Sequence, residues 1–237
     1  IYKVALSSSE VEHVFADRID WFNITITDIV KDNNKRIWFA TDQGVAVLLQ
    51  KPSSLYFYQH SLSANNQLAS NQVHKLISDQ QNIIWVATYG GLQKIALQSP
   101  SFKTFTADNN NASAIQEQAI SMIGFDNRNN LWLAGKTTGV YELQLPLSQG
   151  QFHQHQTDPH SMFNLPGIEV RGFLQDSHGN YWLGTFRNGV IKISTDRKTR
   201  SWFSQEDTNA NSLSSNEKQM LFLKTQNSNC GLALKMV

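Results

Sequence analysis

The chain has almost no cysteine and little charge of either sign. Its 237 residues contain a single cysteine, Cys230, and Lys, Arg, Asp and Glu together make up 16% of the sequence. The formal net charge is +1, which excludes the broad basic surface that binding to a nucleic-acid backbone requires. A chain nearly free of thiols suits an oxidising compartment.

Long apolar runs are missing as well. No run reaches the roughly 18 residues that a membrane-spanning helix needs, and no signal peptide is recognisable. The chain opens at Ile1 and not at Met, so a targeting segment removed before this point is compatible with it. Helical spacing of apolar residues is also absent, whereas apolar and polar residues alternate over stretches of about four to six positions, which is the β-strand period.

An internal repeat indicates the architecture. Four segments share an Asp, a Trp six residues later and a Gly six or seven residues after the Trp. The pairs are Asp32 with Trp38, Asp79 with Trp85, Asp126 with Trp132, and Asp176 with Trp182. Successive aspartates lie 47, 47 and 50 residues apart. A period of about 48 residues holds four short strands, which is the content of one propeller blade.

Each recurring position of the repeat has a structural role. We expect the Asp carboxylate to cap a hairpin turn, the Trp to fill the space between neighbouring sheets, and the Gly to permit a turn that a Cβ would oppose. Aromatic pairs such as Phe57-Tyr58 and Trp202-Phe203 indicate an outer strand. The sequence therefore predicts an all-β fold: a β-propeller, present as a partial ring of about four to five four-stranded blades out of an expected seven or so.

The repeat consensus resembles that of the two-component regulator propeller family. It reads Asp, four variable residues, Leu/Ile/Tyr-Trp, a hydrophobic residue, Ala/Gly-Thr and then Gly-Val/Leu. The third copy departs from it with Gly135 in the Thr slot. The resemblance implies an extracytoplasmic, periplasmic sensor propeller of a hybrid histidine kinase or a diguanylate cyclase. It also implies that the remaining blades and the downstream receptor domains are partners, that the receptor is dimeric, and that this segment senses a ligand without catalysis.

The predicted ligand site is the mouth of the ring, because propeller ligands bind over the central channel. The loops there join second to third strands or lead into a blade, and their residues differ between copies. The candidate binding residues are Asp42, Gln43, Tyr89, Lys136, Glu169, Arg171, Arg187 and Asn188. A small molecule or an oligosaccharide is the expected ligand, and no cofactor is expected. The alternative is that these loops are variable only because they are solvated.

Metal and catalytic sites are weakly indicated. Residues 126–130 loosely resemble a calcium loop, but Leu131 and Thr137 stand where an EF-hand needs Gly and Glu. His153 and His155 belong to the sole histidine cluster, interpreted as a solvated outer strand and loop. No acid pair suited to glycoside hydrolysis can be assigned. The sequence predicts neither a metal site nor catalytic residues. A protein-interaction scaffold and a propeller lyase or glycoside hydrolase remain as alternatives.

The last residues of the chain leave the repeat. Leu213-Ser-Ser-Asn216 matches Leu68-Ala-Ser-Asn71, so an Asp is due at position 224 and a Trp six residues later. The chain has Lys224 and Cys230 at those places. Back-translation from Leu223 with two nucleotides dropped can read Lys-Asp-Ser-Lys-Gln-Gln-Leu-Trp-Val-Gly-Thr. We therefore predict a partial propeller over 1–223 and a frameshifted, non-native tail over 224–237. An unusual terminal cap is the alternative.

Overall fold

The structure is a computed structural model built of β-strands. It describes residues 2–4, 11–13, 23–50, 53–61, 67–96, 101–111, 113–143, 151–205, 212–213, 219–224 and 230–235. One short 3-10 helix, His155–Thr157, lies within these ranges. No helix in this part of the chain is long and apolar enough to cross a membrane.

The strands form four four-stranded antiparallel sheets flanked by two hairpins. The first hairpin pairs β1 Tyr2–Val4 with β2 Val11–His13. Blade 1 contains β3 Ile26–Lys31, β4 Ile37–Thr41, β5 Gly44–Gln50 and β6 Ser53–Tyr58. Blade 2 contains β7 Val73–Ser78, β8 Ile84–Thr88, β9 Gly91–Ala96 and β10 Ser101–Phe105. Blade 3 contains β11 Ile120–Phe125, β12 Leu131–Gly135, β13 Gly139–Leu143 and β14 His153–Gln154. Blade 4 contains β15 Val170–Gln175, β16 Tyr181–Thr185, β17 Val190–Ile193 and β18 Arg200–Phe203. The last hairpin pairs β19 Gln219–Lys224 with β20 Cys230–Lys235.

The sheets are arranged as propeller blades. Within each blade the strands neighbour one another in sequence order, and the first strand of each blade packs against the first strand of the next: β3 on β7, β7 on β11, and β11 on β15. Innermost strands that adjoin in this way surround the channel of a propeller. The prediction of an all-β, partial propeller is confirmed.

The four tryptophans occupy equivalent positions. Each is the second residue of a second strand and lies opposite the penultimate residue of the first strand. The register pairs are Trp38 with Val30, Trp85 with Ile77, Trp132 with Gly124, and Trp182 with Leu174. The first three are at most 1% exposed. Trp182, in the last four-stranded blade described, is only partly buried.

The repeated aspartates bind the tryptophans directly, which the sequence analysis did not foresee. One carboxylate oxygen, Oδ1, accepts the backbone N–H groups two and four residues on, as the predicted turn cap does. The other, Oδ2, accepts the indole N–H. The Nε1–Oδ2 distances are 2.9 Å for Trp38–Asp32, 3.1 Å for Trp85–Asp79, 3.1 Å for Trp132–Asp126 and 2.9 Å for Trp182–Asp176. The six-residue spacing therefore places a turn cap where it also satisfies the indole donor of the core.

In each blade a ring from the outer strand, or in blade 3 from the 3-10 helix that directly follows it, stacks on the tryptophan. In three blades it is a Tyr or Phe ring: Tyr58, Phe105 and Phe203, with ring centroids 6.3, 6.2 and 5.9 Å from the Trp ring. In blade 3 the ring is His155, whose centroid lies 5.3 Å from that of Trp132. His155 is 4% exposed, so the interpretation of this histidine as solvated is wrong.

The final hairpin takes the place of the first two strands of a fifth blade. Its first strand packs against β15, the innermost strand of blade 4. Its register sets Leu223 opposite Gly231, so Gly231 stands where the other blades have Trp. The side chains of this hairpin and residues 225–229 lie outside the description. Backbone pairing leaves the reading frame untested, so the frameshift stays a prediction.

Candidate ligand site at the mouth of the ring

The first strand of each blade carries a β-bulge near its start, and the bulged residue differs between blades. In blades 1 and 3 it has a hydroxyl that links adjacent blades. Thr27 Oγ1 donates to the carbonyl of Val73 at 2.7 Å, and Ser121 Oγ donates to that of Val170 at 2.9 Å. In blades 2 and 4 the same position holds His74 and Arg171. Two of the four bulges therefore carry titratable or charged groups instead of a structural hydroxyl.

His74 meets side chains of two neighbouring loops. Its ring lies 4.4 Å from that of Tyr89, centroid to centroid, in an edge-to-face arrangement. Tyr89 is in the loop between the second and third strands of blade 2, and 42% of it is exposed. The Nζ atom of Lys136, from the same loop of blade 3, lies 6.0 Å from the Tyr89 ring centroid. Blades 2 and 3 thus present an imidazole, an exposed aromatic ring and an ammonium side by side.

Blade 4 adds a guanidinium held by a carboxylate and an aromatic ring. Arg171 Nε donates to Glu169 Oε1 at 2.8 Å. The guanidinium carbon lies 3.9 Å from the ring centroid of Phe186, whose backbone N–H bonds the carbonyl of Glu169 at 2.8 Å. The guanidinium of Arg187 lies 4.8 Å from the same ring. Phe186 therefore contacts two cations at once, a geometry favoured by the negative face of the ring.

The groups from blades 2 and 3 interact electrostatically with those from blade 4. Burial lowers the pKa of His74, the charge of Arg171 lowers that pKa further, Glu169 opposes the change, and Lys136 adds to it. An imidazole in this position stays neutral near pH 7. The set His74, Tyr89, Lys136, Glu169, Arg171, Phe186 and Arg187, drawn from blades 2, 3 and 4, is named the mouth cluster below.

The loop that carries Lys136 is held by a separate carboxylate. Glu117 Oε2 accepts the backbone N–H groups of Thr137 and Thr138 at 2.6 and 3.1 Å, and both of their hydroxyls as well. Gly135 stands beside it, and a Cβ there would clash with Thr138 and Glu117. This packing explains why the third copy has Gly in the Thr slot. It also commits Glu117 to the loop, so this carboxylate forms no ion pair with Lys136 among the described residues.

Five of the eight predicted binding residues therefore come together, and three do not. Asp42 Oδ1 accepts the backbone N–H of Thr25 at 3.0 Å, and Gln43 donates to the same entry segment. The carbonyl of Asn188 accepts the indole N–H of Trp202 at 2.6 Å. These contacts support the loops. A ligand role for any of the eight stays a prediction.

Two members of the mouth cluster escaped the sequence analysis. His74 lies five residues before its Asp, at the position of Thr27, Ser121 and Arg171 in the other copies. Comparing that one position across the copies reveals the change from hydroxyl to charged or titratable groups. Phe186 follows directly after a repeat threonine, and no sequence signal separates it from a packing aromatic.

The described residues hold no group of three or more His, Cys, Asp or Glu side chains suited to a metal ion. The chemistry available at the mouth is that of cations, a neutral imidazole and aromatic faces. These groups bind anions, ring faces and hydrogen-bond acceptors.

Comparison with known families agrees with the repeat. Residues 21–43, 67–90 and 164–187 match the family model described as the two component regulator propeller. The chain carries two-component regulator propeller repeats. The matched segments contain the aspartates of blades 1, 2 and 4, whereas blade 3, with Gly135 in the Thr slot, lies outside them.

Solved structures show the same fold at low sequence identity. The extracellular domain of BT3049 from B. thetaiotaomicron, assigned to a hybrid two-component system, is 20% identical with a TM-score of 0.70, over 88% of this chain and 28% of that one. The extracellular domain of BT4673 from the same organism, assigned to a one-component system, is 18% identical with a TM-score of 0.69, over 87% and 25%. A streptogramin B lyase is 12% identical with a TM-score of 0.64, over 98% and 68%. No curated protein matches the chain in sequence.

The chain thus spans about a quarter of the length of these two extracellular domains. The described residues of the present chain form four four-stranded blades.

Proposed function

We propose that the chain is the ligand-sensing propeller region of a periplasmic, extracytoplasmic receptor in bacterial signal transduction. The regulator propeller repeats support this role, and so does the fold shared with extracellular domains of one-component and hybrid two-component systems. The observation that carries the proposal is the mouth cluster, in which three successive blades contribute side chains to one place.

The mouth cluster suits sensing because a ligand bound there contacts several blades together. Adjacent blades are also joined by hydrogen bonds, from Thr27 to Val73 between blades 1 and 2 and from Ser121 to Val170 between blades 3 and 4. A ligand that binds one arrangement of these blades better than another shifts the receptor toward that arrangement. The shift then passes to paired receptors and to an output domain, a histidine kinase or a diguanylate cyclase, outside this chain.

We assign binding and not catalysis to the mouth cluster. A propeller scaffold for a protein partner is one competing function, and a lyase or hydrolase is another. The similarity to a streptogramin B lyase lies at 12% identity and concerns the fold alone. The ligand screen distinguishes both of these functions from ligand sensing.

A thermal-shift screen tests the proposal. Mono- and oligosaccharides and other small metabolites are added to the chain, and to a longer receptor that contains it. A ligand that binds only the folded state at about 100 times its Kd adds roughly 2.7 kcal/mol of stability. We expect a ligand whose shift disappears in the Tyr89→Ala/Lys136→Ala variant and persists in a Lys198→Ala control, which changes an exposed turn away from the mouth.

Capture of a protein partner through the same residues, with no small ligand, favours the scaffold. Conversion of a screened compound to a product favours the enzyme. A ligand whose shift survives the double substitution contradicts the placement of the site.

A further inference from the structure

The mouth cluster contains more positive charge than its own carboxylate neutralises. Arg171 is paired with Glu169, but Lys136 and Arg187 form no ion pair with any described residue. Both side chains are exposed. In a chain with a formal net charge of only +1, two uncompensated cations within one cluster are a local feature and not part of a general basic surface.

Arg171 is preorganised to accept a further partner. Glu169 engages only Nε, so the two terminal nitrogens have no hydrogen-bond partner among the described residues. The guanidinium is fixed by this bond and by its contact with Phe186, and its side chain is 30% exposed. A planar fork with two free donors matches the two oxygens of a carboxylate or a phosphate. Fixing it in advance reduces the entropy lost on binding.

An aromatic face lies beside these cations. Tyr89 is 42% exposed, and the ammonium of Lys136 approaches its ring. Exposed tyrosine at a concave or loop-lined site offers a rigid surface for a ring of the ligand. The cluster therefore has separate places for an anion and for a ring.

We propose that the mouth cluster binds an oxyanion, a carboxylate or a phosphate, carried on a small ring-shaped molecule. Arg171, Lys136 and Arg187 contact the oxyanion, and Tyr89 contacts the ring. This inference rests on the proposed function, since it names the chemical class of the ligand at the same site.

His74 reports where the anion binds. The charged groups that face it are Arg171, Glu169 and Lys136, and the Tyr89 ring covers one edge. The next residue, Lys75, is occupied by Asp28 at 3.0 Å. In the free protein burial and the cations keep the pKa of His74 below its usual 6.5. An added anion favours the imidazolium, so binding takes up a proton and strengthens as the pH falls from 7 toward 6.

The test is isothermal titration calorimetry on the full 237-residue chain with matched acidic and neutral probes. The pairs are glucuronate with glucose, galacturonate with galactose, benzoate with benzyl alcohol, and glucose 6-phosphate with glucose. We expect at least one acid to bind about tenfold or more tightly than its neutral partner, which corresponds to about 1.4 kcal/mol. The carboxylate and phosphate arms show which oxyanion is preferred, and inorganic phosphate shows whether the ring adds affinity.

Variants locate the effect. Lys136→Gln changes an exposed side chain, so we expect the variant to fold as the unchanged chain does. Arg171→Gln combined with Glu169→Gln removes the ion pair without leaving a lone charge. Each variant should weaken the acid about tenfold and leave the neutral probe unchanged. Measured near pH 6.5 in buffers of different ionisation enthalpy, the acid should bind with proton uptake, and His74→Gln should abolish that uptake while the acid still binds.

Neutral probes that bind as tightly as the acids overturn the inference, and so does the absence of binding by every acid. Acid binding that is indifferent to Lys136 and Arg171 also overturns it. If a neutral probe binds and the Tyr89→Ala substitution abolishes that binding, the sensor proposal stands and the anion inference fails. An acid bound here that leaves the signalling output of the longer receptor unchanged contradicts the sensor proposal alone.

Discussion

Glu142 in blade 3 accepts two hydrogen bonds from the guanidinium of Arg197 in blade 4, at 2.9 and 3.0 Å. Arg197 also donates to the hydroxyl of Tyr181 at 3.0 Å, and its guanidinium carbon lies 5.1 Å from the ring centroid of Trp132. Glu142 is opposite Trp132 in the strand register. This ion pair between Glu142 and Arg197, called the clip, therefore joins blades 3 and 4 beside the repeat tryptophan of blade 3.

Replacing Arg197 with Ala should destabilise the fold, because the carboxylate of Glu142, 9% exposed, loses its two short hydrogen bonds to a guanidinium and keeps only the longer contacts with His155 and Asn130, both at 3.4 Å. Breaking a fully buried pair costs roughly 3–5 kcal/mol. Since the Arg197 side chain is 34% exposed, we expect a smaller loss of about 2 kcal/mol. Urea unfolding measures it, with Lys198→Ala in the same turn as the control. Equal effects of the two substitutions would mean that the clip contributes nothing.

The clip makes stability depend on pH through two groups. Burial alone raises the pKa of Glu142, but His155 and Arg197 outweigh it and hold that pKa at about 2. Its contribution is present above the unfolded value near 4.5 and is lost as the pH falls toward 2. Burial lowers the pKa of His155, so the unfolded chain takes up a proton first and stability also falls as the pH drops below about 6.5.

Two variants separate these contributions. His155→Phe puts at this position a ring without titratable nitrogens, like the Tyr or Phe of blades 1, 2 and 4, so the stack on Trp132 is kept. It should flatten the fall in unfolding free energy between about pH 6.5 and 5. Glu142→Gln should flatten the fall below about pH 4.5. Unfolding curves at several pH values check both, and an unchanged slope in either variant contradicts the assignment to that residue.

The Asp–Trp bond of the repeat should be worth more than an ordinary turn cap. Asp126→Ala leaves the indole N–H of the fully buried Trp132 and two turn N–H groups without their acceptor. We expect a loss of about 2–3 kcal/mol. Asp108 is a matched control, since it caps an exposed turn through the N–H of Asn110 and bonds no tryptophan in the described part of the chain. Asp108→Ala should cost about 0.5 kcal/mol.

Alanine at Tyr89, Lys136 and Arg187 together should abolish signalling in the intact receptor. These side chains are exposed, so the melting temperature should fall by no more than the equivalent of about 1–2 kcal/mol. A reporter of the output domain and a thermal melt are measured on the same protein. Full signalling refutes the placement of the site without touching the fold.

Resequencing the DNA over codons 217 to 237 decides the frame of the tail. If two nucleotides are displaced, the other frame supplies Asp and Trp where the repeat requires them. We expect Asn229 with Cys230 to read Leu, Cys230 with Gly231 to read Trp, and Met236 with Val237 to read Gly. If the codons found there cannot give the Trp and the Gly in the other frame, the frameshift hypothesis is wrong.

The repeat and the blade count were accessible from the sequence because they depend on local relationships. The Asp and Trp are six residues apart, so the turn they form recurs wherever the pair recurs. Alternating strands need only their neighbours along the chain to pair in order. The loops of the mouth followed from the same order, which is why Tyr89, Lys136 and Arg171 were among the predicted residues.

Only the tertiary structure decided which of those residues meet and what else joins them. His74 and Arg171 belong to blades 2 and 4, with a whole repeat between them. No local sequence pattern predicts that the charge of this guanidinium acts on this imidazole. Glu142 and Arg197 are 55 residues apart and pair because adjacent blades pack face to face. His155 follows a strand of only two residues, yet its ring stacks on Trp132 as a Tyr or Phe ring does on the tryptophan of the other blades. Charge and burial at these points depend on contacts between blades, which sequence order alone does not specify.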